Sequence, residues 1–160
     1  MTRPFLVLGL GNELFTDEGV GVVAARGFAE RGLPGVEVVD GGTLGIALLP
    51  TVVDREAVLV FDAVVAADAE PGAIVVLEDA DVRRGHRVLY SAHQLGISEV
   101  LAAADLAGAH IPRVAAVGMV PFSLETGYGI SPEAAARIDA MVDHGVAIVE
   151  RWRREVTVDA

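Results

Sequence analysis

The sequence contains no cysteine and no lysine, and it has few aromatic residues. Without cysteine there are no disulfides and no thiol chemistry, so only oxygen and imidazole groups remain as possible metal ligands. Although 52% of the residues are hydrophobic, no run approaches the ~18 apolar residues that a membrane helix needs. The amino terminus also lacks the features of a secretion signal. We therefore expect a soluble, cytoplasmic protein that does not insert into a membrane.

Positive charge is also scarce, with 12 basic residues against 23 acidic ones and a net charge of −11. This balance argues against nucleic acid or an anionic membrane surface as a partner. A chain of 160 residues is long enough to bury a substantial core, and no linker or repeat divides it. We expect one domain covering residues 1–160, acting as a monomer.

The stretch from Phe5 to Gly21 contains a short apolar run, a glycine-bearing turn and the predicted start of a helix. The run from Phe5 to Leu10 favours a strand buried on both faces of a parallel sheet. Thr16 is placed to cap the helix, and two acids follow it in the first turn. Those acids could simply complement the helix dipole. However, Gly19 and Gly21 each cost about 1 kcal/mol in a helix, which indicates close approach of a ligand or another backbone.

A nucleotide-binding interpretation of this stretch is disfavoured. Gly9 and Gly11 follow a strand, as in the dinucleotide fingerprint, but Leu14 stands where the third glycine belongs. Asp17 and Glu18 would also repel a pyrophosphate at the helix start, where such anions usually bind.

Further strands are predicted at residues 36–39, 57–61, 73–77 and 113–120, with helices between most of them. The turn signal at residues 68–72 predicts that strand 73–77 forms a hairpin with strand 57–61. Alternating strands and helices indicate a three-layer α/β/α domain with a mostly parallel sheet of about five strands.

Polar residues follow the predicted strands at the edge where ligands of open α/β sheets bind. Glu18 follows the first strand, Asp40 ends the second and Asp62 ends the third, while His93 falls in the first turn of a helix predicted to run to about residue 107. Carboxylates with an imidazole suit Ni²⁺, Mn²⁺ or Zn²⁺. Structural alternatives remain open at this stage: Asp40 is typical of a turn, Asp62 could cap a neighbouring helix, and His93 could bond to backbone.

Beyond these patterns, the chain closely resembles the hydrogenase maturation proteases. Five motifs spread over the chain carry the resemblance: Gly9-Leu-Gly-Asn-Glu-Leu-Phe-Thr-Asp-Glu-Gly-Val-Gly21, Asp40-Gly-Gly-Thr-Leu-Gly45, Phe61-Asp-Ala63, His93-Gln-Leu-Gly96 and Val117-Gly-Met-Val-Pro121. One departure is Ala92, which stands where proline usually precedes the histidine.

The resemblance implies an aspartic-type or metal-dependent endopeptidase that removes the C-terminal extension of a [NiFe]-hydrogenase large-subunit precursor. It places metal ligands at Glu18, Asp62 and His93, and substrate recognition at Asp40, Gly41, Gly42 and Thr43. Nickel would be supplied by the precursor, although other divalent metals could occupy the site. Glu18 or Asp62 would then assist proton transfer during hydrolysis. The alternative function is a nickel-sensing chaperone that docks on the precursor without cutting it.

Overall fold

The structure, a computed structural model, describes residues 4–66, 68–84 and 96–159. Short 3-10 turns cover Thr16–Gly19 and Gly45–Leu48. The strands and helices in chain order are β1 Phe5–Leu10, α1 Val20–Glu30, β2 Val36–Gly42, α2 Leu49–Val52, β3 Ala57–Ala63, β4 Ile74–Glu78, α3 Ala80–Arg83, α4 Ile97–Leu106, β5 Arg113–Met119, α5 Pro132–Ala135 and α6 Ile138–Asp159.

The strands form one five-stranded sheet in the order β2-β1-β3-β5-β4. All neighbouring pairs are parallel except β4 with β5, so the predicted mostly parallel α/β fold is confirmed. The predicted hairpin is wrong, because β4 pairs with β5 and not with β3. Both edges of β3 are already taken by the parallel neighbours β1 and β5, and the less buried β4 suits an edge position.

Alternate residues of the central strands enter two separate hydrophobic layers. In β3, the side chains of Leu59 and Phe61 pack with helices α1 and α6, while Val58 and Val60 pack on the other side with α4. This arrangement explains why the central strands are apolar at every position, as expected for strands covered on both faces. None of the helices within the described ranges is long and apolar enough to cross a bilayer.

Helix α1 begins four residues later than Thr16, which does not cap it. Thr16 has a positive φ of 48°, and its hydroxyl donates a hydrogen bond of 2.6 Å to the carbonyl oxygen of Glu125. The prediction of a Thr16 cap is therefore wrong, because this side chain is used to hold a distant loop. The predicted beginning of the helix that carries His93 lies outside the described residues.

Candidate functional site

The candidate site lies at the carboxyl end of the sheet, where the chain leaves β1 and β3. These strands are neighbours, yet the chain continues from β1 to β2 on the opposite side. Crevices in open α/β sheets form at such a reversal of strand order, and ligands bind there. Glu18 lies in the 3-10 turn that follows β1, and Asp62 is the penultimate residue of β3. Two of the predicted metal ligands are therefore brought to the same reversal point.

Two glycines allow the turn that carries Glu18 to lie directly on the strand ends. A Cβ atom on Gly21 would be 2.3 Å from the carbonyl oxygens of both Leu10 and Phe61. A Cβ atom on Gly11, whose φ is +137°, would be 1.9 Å from the carbonyl oxygen of Glu18. The close approach predicted from Gly21 is therefore to neighbouring backbone, and it fixes the start of α1 against β1 and β3.

Asp17 is fully buried and anchors the loop that follows β5. Its carboxylate accepts hydrogen bonds from the amides of Phe122 at 2.9 Å, Ser123 at 3.1 Å and Ser131 at 2.7 Å. The hydroxyl of Ser131 donates a fourth bond at 2.8 Å. A buried carboxylate with this many donors is satisfied within the protein. Asp17 therefore holds the turn in place, and its oxygens are not available to a ligand.

The Glu18 carboxylate has a different environment, although the residue is only 8% exposed. Within the described ranges it has no hydrogen bond or ion pair, and desolvation by burial raises its pKa. Desolvation likewise raises the pKa of Asp62 well above its ordinary value, opposed by a hydrogen bond from the amide of Ala63 and reinforced by the charge of Glu18. Two desolvated carboxylates that influence each other form a site to which a cation or a proton would bind favourably.

Asp40 was expected to end the second strand, but β2 continues to Gly42, and the side chain of Asp40 is already paired. One oxygen accepts the amide of Gly42 at 3.1 Å, and the other is 3.4 Å from the guanidinium of Arg26. Arg26 also binds Glu13 at 2.7 Å. Of the segment predicted to bind substrate, Asp40 and Thr43 are exposed, Gly41 is buried and Gly42 is partly buried. Pairing of Asp40 agrees with its turn interpretation, and the substrate-binding prediction for these residues stays a prediction.

His93, the third predicted metal ligand, lies outside the described residues. Among residues 4–66, 68–84 and 96–159, no group of three His, Asp or Glu side chains could hold a metal ion. The described part of the site supplies two carboxylates without a cationic partner, and this donor chemistry fits a divalent cation that takes its remaining ligands elsewhere.

Comparison with known proteins identifies the family. A family model described as hydrogenase maturation protease matches residues 24–148. The chain is 36% identical over 157 residues to the hydrogenase 2 maturation protease of Escherichia coli, covering 97% of this chain and 93% of that protein. The chain belongs to the hydrogenase maturation protease family. It is also 40% identical to the hydrogenase expression/formation protein HupD of Rhodobacter capsulatus, over 97% of this chain and 75% of HupD.

Solved structures of the hydrogenase maturation protease family share this fold. The hydrogenase maturating endopeptidase HybD from E. coli superimposes with a TM-score of 0.83 at 33% identity, covering 92% of both chains. A solution structure of an E. coli endopeptidase gives a TM-score of 0.81 at 35% identity, also over 92% of both chains. The family resemblance seen in the motifs is thereby confirmed, and membership makes the protein a protease.

Sequence reasoning missed the role of Asp17, which it treated as equivalent to its neighbour Glu18. The sequence offers no local signal that separates them, because the four donors come from residues more than 100 positions away. It also missed exposed apolar side chains in the segments that follow β1 and β2, such as Leu14 and Leu44. Their position a few residues after predicted strands is the signal that could have identified them.

Proposed function

We propose that the protein is an endopeptidase that removes the C-terminal extension of a [NiFe]-hydrogenase large-subunit precursor after nickel insertion. Family membership supports a protease acting in hydrogenase maturation. The observation that carries the proposal is the pair of desolvated carboxylates, Glu18 and Asp62, at the reversal point of the sheet. Carboxylates there can hold a cation carried by the substrate and can also accept a proton.

Nickel is part of the substrate in this proposal. Glu18, Asp62 and the predicted ligand His93 would complete its coordination, since oxygen and imidazole donors both suit this metal. Bound nickel would supply Lewis-acid polarisation of the scissile carbonyl. A precursor without nickel would then lack the group that these side chains recognise, which would restrict cutting to loaded precursor.

The carboxylates of the chain itself perform the proton transfers. Because desolvation raises their pKa, a carboxylate of this pair that is not bound to nickel is a stronger base than an exposed carboxylate. One of them takes a proton from the attacking water as its oxygen bonds to the carbonyl carbon. It then gives that proton to the leaving amide nitrogen as the peptide bond breaks, so that a new carboxyl end and a free amine result.

Replacement of Glu18 by glutamine tests this assignment. The Glu18→Gln variant should remain folded and lose at least about 100-fold in processing rate, since proton transfer by a positioned side chain contributes about 10²–10⁴-fold. The measurement is mass spectrometry of a nickel-loaded precursor during incubation with each variant. Glu133→Gln is the matched control, because Glu133 is an exposed glutamate in the first turn of α5.

Each result that contradicts the proposal would identify a different part of it as wrong. Wild-type cleavage of nickel-free precursor would exclude nickel dependence and favour an aspartic-type mechanism. Processing by Glu18→Gln at the wild-type rate would show that Glu18 is not required. A wild-type protein that binds the loaded precursor but leaves the extension in place would be a chaperone and not a protease.

A further inference from the structure

The 3-10 turn that precedes α1 is hydrogen-bonded to the loop that joins β5 to α5, residues 120–131. The backbone amide of Asp17 donates to the carbonyl oxygen of Ser123 at 3.1 Å. The amide of Thr16 donates in the same way to Gly127 at 3.0 Å, and its hydroxyl binds the same loop. Main-chain and side-chain bonds together therefore hold the turn on this loop.

Ser131 is the last residue of the loop, and it joins the start of α5 to the turn. Its hydroxyl oxygen accepts a hydrogen bond from the amide of Ala134 at 3.2 Å, which makes it the N-cap of α5. A serine hydroxyl has a single hydrogen, and here that hydrogen is donated to the carboxylate of Asp17, 2.8 Å away. The amide of Ser131 donates to the other oxygen of the same carboxylate at 2.7 Å. One side chain thus caps a helix and binds the turn that carries Glu18.

The loop is itself attached to the helices that follow it. Arg137, between α5 and α6, lies over the ring of Phe122, 5.7 Å from its centroid. The amide of Phe122 donates to Asp17 at 2.9 Å. Helix α6 is held in turn by the core, in which Met141 and Val142 are buried. The bonds to Asp17 therefore come from a loop that the packed part of the molecule supports.

The direction of the Glu18 side chain depends on the backbone of this turn. Its carboxylate has no hydrogen bond or ion pair in the described part of the chain that would fix it from outside. The carbonyl oxygen of Glu18 lies so close to Gly11 that a Cβ atom there would be 1.9 Å from it. Asp62, by contrast, is part of β3 and is placed by the sheet. A shift of the turn would therefore move the Glu18 carboxylate relative to that of Asp62.

We propose, on the basis of the function proposed above, that Ser131 is a positioning residue for Glu18. Its two hydrogen bonds to Asp17 hold the turn so that the carboxylates of Glu18 and Asp62 can bind the same nickel ion. Ser131 acts through Asp17 and does not itself contact the metal or the scissile bond. Because a displacement of about 1 Å can lower a catalytic rate about 100-fold, a small movement of the turn is enough to reduce processing.

Two substitutions of Ser131 and one control test the proposal. Ser131→Ala removes the hydroxyl bond to Asp17 and leaves that carboxylate its three amide donors. Ser131→Thr keeps a hydroxyl that can both cap α5 and bind Asp17. Ile148→Val is the control, because it shortens a buried side chain of α6 that takes no part in these hydrogen bonds. Loss of an N-cap and loss of one buried methyl group destabilise a fold to a similar extent, and denaturant unfolding verifies the match.

The readouts are the affinity for Ni²⁺ alone, measured by calorimetry, and kcat for processing of nickel-loaded precursor, measured by mass spectrometry. Both are measured at a temperature at which all the variants remain folded. Ser131→Ala should weaken Ni²⁺ binding and lower kcat by about tenfold each, as found for groups that hold metal ligands in place. Ser131→Thr and Ile148→Val should both match the wild type. If Ni²⁺ alone does not bind to the wild type, the kcat values decide.

Three results would overturn the positioning role. Wild-type affinity and kcat in Ser131→Ala would show that Ser131 contributes to stability alone. Equal losses in Ser131→Ala and Ile148→Val would show that general loosening of the fold accounts for both. Failure of Ser131→Thr to restore affinity and kcat would show that the hydroxyl bond to Asp17 is not what places Glu18.

The same measurements separate this proposal from the proposed function. If the wild type binds Ni²⁺ but leaves the extension of the precursor in place, the protease function is wrong, and loss of Ni²⁺ affinity in Ser131→Ala still supports the positioning role. If the wild type and Ser131→Ala process the precursor equally well, the protease function stands and the positioning role is wrong. A wild type that neither binds Ni²⁺ nor processes the precursor would overturn both.

Discussion

The acidic side chains at the two ends of the sheet differ in whether they have ion-pair partners. At the amino end, Arg113 binds Glu56 and Glu155, and Arg151 binds Glu78. At the carboxyl end, Glu18 lacks an ion-pair partner among the described residues, and burial raises its pKa. Paired charges stabilise the fold modestly, whereas a buried unpaired carboxylate opposes folding.

This difference separates the part of the molecule that maintains the fold from the part available to a ligand. Unpaired, desolvated acids persist when something outside the chain binds them, and perturbed acids accordingly cluster at functional sites. Pairing at the carboxyl end is nevertheless present where it positions the backbone. Asp17, immediately before Glu18, has four donors and anchors a loop.

The largest expected effect comes from breaking that anchor. Asp17→Ala leaves three partly buried amides without this acceptor and should lower the free energy of unfolding by about 4 kcal/mol or more. Denaturant unfolding measures the loss. Asp143→Ala is the control, because Asp143 is 65% exposed in a surface ion pair with Arg31 and should cost at most about 1 kcal/mol. Equal losses in both variants would contradict the anchoring role.

The next largest effect tests the close approach of α1 to the strand ends. Gly21→Ala places a methyl group 2.3 Å from two carbonyl oxygens and should cost about 3 kcal/mol through displaced backbone. Gly27→Ala in the same helix meets one methyl group of Val142 at 3.2 Å and no backbone atom, and it should stay within about 1 kcal/mol of wild type. Both variants replace glycine by alanine in the same helix. A similar free energy of unfolding for the two would show that the backbone at the strand ends moves aside at little cost, which would contradict the prediction.

The smallest expected effect is a change in the free energy of unfolding at neutral pH. Its sign differs between a variant at the carboxyl end of the sheet and one at the amino end. Because the folded-state pKa of Asp62 is raised, mainly by desolvation, the folded protein binds a proton more readily than the unfolded chain. The contribution of Asp62 to wild-type stability should therefore fall as the pH rises above 3.8 toward the raised folded-state pKa. Asp62→Asn removes the contribution of Asp62 to this dependence, while that of Glu18 remains, and should be more stable than wild type at neutral pH, with the gain vanishing below 3.8.

The comparison uses unfolding of each protein at several pH values in the presence of a chelator. Glu78→Gln is the partner variant, since it removes a carboxylate that is paired with Arg151 at the amino end. It should lose up to about 1 kcal/mol at neutral pH. A loss of stability in Asp62→Asn at neutral pH would mean that this carboxylate is paired after all.

The fold class could be predicted because the strand pattern is local. The apolar run from Phe5 to Leu10 matches β1, and the run beginning at Ala57 matches the start of β3. Strand pairing was harder to predict from the sequence. The turn before β4 predicted a hairpin with β3, yet β4 pairs with β5. A turn signal shows that the chain reverses direction, and it does not show which strand has a free edge.

The candidate site was predicted only in part. Glu18 and Asp62 were identified from their positions after strands, and strand order brought them to one reversal point. His93 lies outside the described residues, and its role stays a prediction. Asp40 lies near the end of β2, but Arg26 pairs with it, a contact that strand position does not reveal.

By itself, the sequence determined the alternation of strands and helices, the acids at strand ends and the family, because these depend on residue types and short spacings. Only the tertiary structure decided how two adjacent acids differ. Asp17 meets donors from the loop after β5, while Glu18 meets none among the described residues. The physical reason is that desolvation and hydrogen bonding depend on which distant segments pack against a side chain, and neighbouring residues point toward different segments.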